Sequence, residues 1–157
     1  MAITQAMCTS FKAEIMLAVH DFRNTGGDTF KIALFTSASN IDANSTSYNT
    51  TSEVTGTNYT AGGNTLVNQG VTASNTSASA GTGFTDFADT TWTNANITAR
   101  GALIYNNTPS ANGTANTTLT NAAVCALDFG SDRTSTLGDF TIIFPAATNA
   151  AAIIRIA

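Results

Sequence analysis

The chain has 157 residues, a formal net charge of −4, a charged share of only 10% and a single histidine. Its six Lys and Arg residues are scattered from Lys12 to Arg155 and form no basic stripe, which excludes the clustered cations that nucleic-acid binding requires. So thin an acid–base inventory also argues against an enzyme, and no apolar run approaches the roughly 18 residues of a membrane span.

The apolar share of 43%, with nine Phe, falls in separated runs, so residues 1–157 read as one domain able to bury a core without metal or disulfide staples. No basic stretch followed by an apolar one opens the chain, so no cleavable export signal is read and synthesis in the cytoplasm is expected. No catalytic, cofactor-binding or metal-binding residue is assigned.

In residues 4–23, Met7, Phe11, Ile15, Val19 and Phe22 recur every three or four positions. This spacing predicts one amphipathic helix, capped by Thr4 and stopped at Asn24-Thr25-Gly26-Gly27. Its apolar face must cover something: the domain's own sheet or a neighbouring subunit, which makes these five residues the candidate partner-docking face. His20 falls near the helix end and is expected to be an ordinary helix-end residue, helped by the helix dipole.

From Asp28 the period changes to two, and Phe30, Ile32 and Leu34 alternate with Lys31, Ala33 and Phe35 as in a strand. A polar loop is predicted over 37–52. Short strands over 53–60 and 65–72 follow, joined by a hairpin turn at Ala61-Gly62-Gly63-Asn64. A second polar loop covers 73–83. Phe84 and Phe87 then restart the apolar pattern, Trp92 precedes an extended run over 97–105, and a third loop spans 106–121. Strands over 122–129, 139–144 and 151–156 complete residues 28–157 as a β-sandwich. The expected fold is therefore mainly β, an antiparallel sandwich or barrel-like domain with one N-terminal helix.

Three clusters invite a chemical reading. Asp86 and Asp89 could be read as calcium ligands, but turn capping through nearby backbone amides is the expected role. Asp128-Phe129-Gly130-Ser131-Asp132-Arg133 lacks the ligand spacing of a calcium loop and reads as a strand exiting into a turn. Cys8 and Cys125 are expected to be free, buried thiols. Asn-x-Thr triplets such as Asn49-Thr50-Thr51 arise by chance in a chain this rich in Asn and Thr. The composition favours a neutral surface of hydroxyls and amides, which can bond across a contact without desolvating charge.

Five stretches carry a family resemblance: Ala6-Met7-Cys8-Thr9-Ser10-Phe11-Lys12, residues 27–36, Tyr59-Thr60-Ala61-Gly62-Gly63-Asn64-Thr65-Leu66, residues 84–105, and Asp139-Phe140-Thr141-Ile142-Ile143-Phe144-Pro145. Together they resemble small virion structural proteins of tailed bacteriophages, especially those of aquatic bacteria. The likeness spans nearly the whole chain and departs in the lengths of the polar loops. It implies a virion component made in the host cytoplasm, a homo-oligomer whose partners are other virion proteins and which uses no cofactor. The leading expectation is a capsid decoration or cement protein on the lattice of the major capsid protein. The alternative is a tail, baseplate or fibre-attachment subunit in contact with tail proteins. A third reading is a receptor- or glycan-binding module that stacks sugars on Trp92, Tyr59 or Tyr105.

Overall fold

The structure is a computed structural model that describes residues 2–74, 81–111, 114–115 and 118–157. Its elements are β1 (Ala6–Met7), α1 (Thr9–Met16), β2 (Phe30–Phe35), β3 (Asn64–Thr65), β4 (Asn68–Ser74), β5 (Thr82–Phe87), β6 (Thr90–Asn106), β7 (Ser110–Ala111), β8 (Thr114–Ala115), β9 (Ala122–Ile142) and β10 (Ile154–Ile156). Among the described residues the strands form a five-stranded sheet in the order β1-β9-β6-β2-β3, a three-stranded sheet β10-β5-β4 and the small pair β7-β8. All pairings are antiparallel. The predicted class holds: the fold is mainly β and sandwich-like, with one short N-terminal helix, and it does not close into a barrel.

The centre of the larger sheet is dry on both faces. In β2, Phe30, Ile32, Ala33, Leu34 and Phe35 are all buried, and they lie opposite Asn106, Ile104, Leu103, Ala102 and Gly101 of β6. Successive residues of a strand point to opposite faces, so both faces of β2 need a cover. On one, Phe30 stacks on Phe22 at 4.3 Å and tilts against Phe87 of β5 at 5.6 Å, which joins the two sheets. On the other, Tyr105 is covered by Tyr48 from the 37–52 loop, with the rings 4.6 Å apart and 11° from parallel.

The helix is shorter than its spacing predicts. Cys8 is the N-cap, in extended conformation and without a side-chain cap, so Thr4 does not cap the helix. Met7 is drawn into β1 opposite Cys125. At the other end Leu17 bonds back to Ala13 and Glu14, and Ala18 at φ 54° turns the chain out of the helix, well before Asn24. A left-handed alanine costs about 1–2 kcal/mol, and it is held because the extended return path buries Val19 and Phe22. A strand, a turn of helix and a return segment thus mimic the period of a single long helix.

The predicted hairpin over 53–72 is also corrected. Residues 53–60 form no strand, and Glu53 makes only an isolated bridge to Phe35. Gly62 and Gly63, at φ 92° and 68°, instead lay Asn64 and Thr65 along the edge of β2. A Cβ on Gly63 would sit 1.8 Å from the carbonyl oxygen of Ile32, so only glycine allows that approach. β4 takes β5 as its partner, and the predicted 73–83 loop shrinks because Ala73 and Ser74 pair with Gly83 and Thr82. Positions 75–80 of that loop lie outside the described residues, as do 112–113 and 116–117 of the loop predicted over 106–121. That third loop contains β7 and β8.

Two predicted strands, 122–129 and 139–144, merge into β9, and the last strand shortens to Ile154–Ile156. The 128–133 segment is a bulge inside β9 and not an exit from it. Between the pairs Gly101–Asp128 and Ala99–Arg133, β6 advances by two residues and β9 by five. Gly130 takes φ 76° there, and its N–H donates to Asp128 Oδ1 at 2.9 Å.

Candidate functional site

The five residues predicted to dock a partner all turn inward. Phe11 and Phe22 belong to the core, Val19 is buried, and Met7 and Ile15 pack against the core from its margin. The large apolar side chains exposed at the end of α1 are Met16 and Leu17, at 82% and 70%. The rings proposed to stack on sugars are also engaged. Trp92 and Tyr105 are buried, and the Tyr59 hydroxyl is held between Glu53 and the amide of Leu34.

Glu53 is the centre of a buried polar box. Its carboxylate accepts the Tyr48 hydroxyl at 2.7 Å, the Tyr59 hydroxyl at 2.7 Å and the Gly62 N–H at 2.8 Å. Tyr105 closes the box by donating to the Gly62 carbonyl at 2.9 Å. Burial, then the Glu53 charge, pushes the Tyr105 hydroxyl up to about 12. Tyr48 and Tyr59 shift upward too, first through burial and then through the same carboxylate. Every donor in the box has its acceptor, so it clamps the 48–63 segment onto β2 and offers no reactive group.

His20 is not the free helix-end residue the sequence suggests. It lies beyond α1 with its side chain fully buried, and Nε2 is 2.7 Å from Glu14 Oε2 while Nδ1 is 3.0 Å from Asn106 Nδ2. Burial lowers its pKa from 6.5, against the raising effect of Glu14 and Asp28. Both ring nitrogens are occupied, so His20 cannot serve Ser110 as a base. The Ser110 hydroxyl donates instead to Asp28 Oδ1 at 2.5 Å.

Asp86 and Asp89 act as amide acceptors, close to the predicted capping role but over a longer reach. Asp86 takes the N–H of Phe87 at 2.8 Å and of Ile153 at 3.2 Å, and Asp89 takes that of Phe144 at 2.9 Å. Together they pin the segment that leads from β9 to β10. Burial raises the Asp86 carboxyl. Among the described residues no three His, Cys, Asp or Glu side chains converge on a metal-sized site. No helix among them is long and apolar enough to cross a membrane. Cys8 and Cys125 are free and buried, with pKa values pushed up by burial to about 11 and about 12. The Cys8 amide donates to the Val124 carbonyl at 2.9 Å, and Cys125 sits opposite Met7 in the β1–β9 pair.

The far half of the β6–β9 pair is an extended exposed feature. Beyond the bulge, residues 90–99 and 133–142 run on as a two-stranded ribbon, past the ends of β1 and β2. Trp92, Ala95, Ile97 and Ala99 bury one face, while Thr91, Thr93, Asn94, Asn96 and Thr98 are exposed on the other strand positions. Cross-strand hydroxyl pairs fix that outer surface, Thr91 with Thr141 at 2.9 Å and Thr98 with Thr134 at 3.0 Å. Residues 57–64 clasp the β6 edge through Asn58 and Asn64. Beside the other edge, that of β9, lies an open groove of about 610 Å³ lined by Phe129, Arg133, Ser135, Asp139, Phe140 and Ile142.

Glu53, Asp28, Asn106 and Ser110 are organising residues that sequence reading missed. Asp28 meets Asn106 and Ser110 across 78 and 82 positions, and Glu53 meets Tyr48, Tyr59 and Gly62 at separations of 5, 6 and 9 that match no helix or strand period, so no local spacing marks them. The available signal was compositional: in a chain with so few charges, an acid beside apolar residues, such as Glu53 before Val54, is a candidate for burial. No family model, no curated protein and no solved structure matches the chain.

Proposed function

We propose that the chain is a structural protein of a tailed-bacteriophage virion, a head decoration protein that binds and stabilises the capsid lattice as a homo-oligomer. The reading rests on the family resemblance and on one structural observation: Glu53, Asp28, Asp86 and Asp89 are spent on internal clamps, while the β6 strand of the ribbon presents an uncharged row of hydroxyls and amides. Such a surface makes many hydrogen bonds without the cost of desolvating charge. A ligand that binds assembled shell and not free subunits stabilises the shell by mass action.

The test is to add purified protein to capsids that lack decoration and to follow their melting. The proposal expects a higher capsid Tm, saturable binding to shells and no binding to unassembled capsid protein. Labelled protein found on tails of intact particles, with none on heads, would transfer the assignment to a tail or baseplate subunit. Absence from both would end the virion reading.

A further inference from the structure

The end of β6 and the return segment after α1 close over a chain of hydrogen bonds whose proton positions are fixed by its two ends. Asp28 is surrounded by donors: the Asp21 N–H at 2.9 Å, the Ser110 hydroxyl at 2.5 Å and Asn106 Nδ2 at 2.6 Å. At the other side of the Asn106 amide, Oδ1 accepts the Thr108 N–H at 3.0 Å. A backbone N–H only donates and a carboxylate only accepts, so the Asn106 amide has a single allowed orientation. The His20 Nδ1 that faces Asn106 Nδ2 must therefore accept, which leaves the ring proton on Nε2, aimed at Glu14.

We infer that His20 is an acid-sensitive latch, locked as the neutral Nε2–H tautomer and tying α1 to the 20–29 segment and to the end of β6. A second proton would have to enter at Nδ1, where it would meet an N–H of Asn106. Donor would face donor, and no rotation of the amide relieves the clash without breaking its bonds to Asp28 and Thr108.

The groups around the ring set the sense of the response. Glu14 faces it from α1 and Asp28 from the segment before β2, and both favour the cation. Asp21 and Arg23 line an adjoining cavity with His20 and Ser110, and they pair with each other. From β6 comes only the neutral Asn106. The rings of Phe11, Phe22 and Phe30 pack around the imidazole at 4.8, 6.3 and 6.4 Å, and this burial outweighs the two carboxylates. The folded value thus lies below the unfolded 6.5. The latch contributes its full stability above pH 6.5 and loses it as pH falls toward the folded value. Each pH unit within that window lowers Tm by roughly 3–6 °C, from about 1.4 kcal/mol per unit and about 2–4 °C per kcal/mol.

Nitrogen NMR of the full chain, labelled at histidine, reads the tautomer directly. The latch requires an Nε2–H signal at pH 7 and a ring that is mostly neutral at pH 6.5; an Nδ1–H tautomer, or a ring that is mostly cationic at pH 6.5, overturns it. Hydrogen exchange compared at pH 7 and pH 5, corrected for intrinsic rates, should show loss of protection at the amides of Asp28, Asn107, Thr108 and Ser110 before the centre of β6. Uniform loss, or none, contradicts local opening. His20→Gln removes the titrating group and should flatten the fall of Tm between pH 7 and pH 5. If that variant does not fold, the tautomer and titration of the unmodified chain decide the matter.

Discussion

The same two strands, β6 and β9, build two regions of opposite character. Near β2, residues 101–106 of β6 lie against 122–128 of β9 with both faces covered, and nearly every side chain there is buried. Beyond the bulge β6 keeps a row of buried side chains on one face and leaves the others to solvent, and most of β9 from 130 to 139 is exposed. The pairing is antiparallel throughout. What changes is the cover: the second sheet and the 37–52 loop enclose one half, and residues 54–64 lie along the β6 edge of the other. Backbone pairing alone therefore does not make a core; layers do.

Mutations should divide along this line. Leu103→Ala, in the doubly covered half, is expected to cost about 2–5 kcal/mol of unfolding free energy in urea titrations. A cost under 1 kcal/mol would show that the cover is loose. Glu53→Gln should cost about 2 kcal/mol, because the neutral amide cannot accept from all three donors of the box. Its 48–63 segment should also become cleavable by protease, and an unchanged digestion pattern would argue that the clamp is dispensable.

The ribbon should respond weakly or with the opposite sign. Leu137 is 71% exposed and held at φ 51°, so Leu137→Gly removes left-handed strain and is expected to raise stability by about 1 kcal/mol. Thr98→Val breaks the hydroxyl pair with Thr134 at the surface and should stay within about 0.5 kcal/mol. If Thr98→Val matched Leu103→Ala, the contrast between the two halves would not stand.

The positive-φ residues Asn94 and Leu137, with their shifts of register, also explain how a long uncovered ribbon remains tolerable. Bulges twist a free edge away from the flat geometry that promotes uncontrolled pairing. The same devices hid the continuity of β9 from a sequence reading. Gly130 and the acids beside it look like the end of a strand, and their turn chemistry is real, but it is used in mid-strand. Sequence rules read the local event and cannot see that pairing resumes at Arg133.

From the residues alone came the mainly β class, the burial of the period-two segment at Phe30, the free thiols and the two acids that hold backbone amides. These follow from composition and from near-neighbour spacing, which are local properties. Tertiary structure alone decided that Met7, Phe11, Ile15, Val19 and Phe22 belong to three successive conformations, that Glu53 gathers Tyr48 and Tyr59, and that His20 meets Asn106 across 86 positions. Burial of a polar group is stable only once distant partners satisfy it, and those partners are chosen when the layers pack.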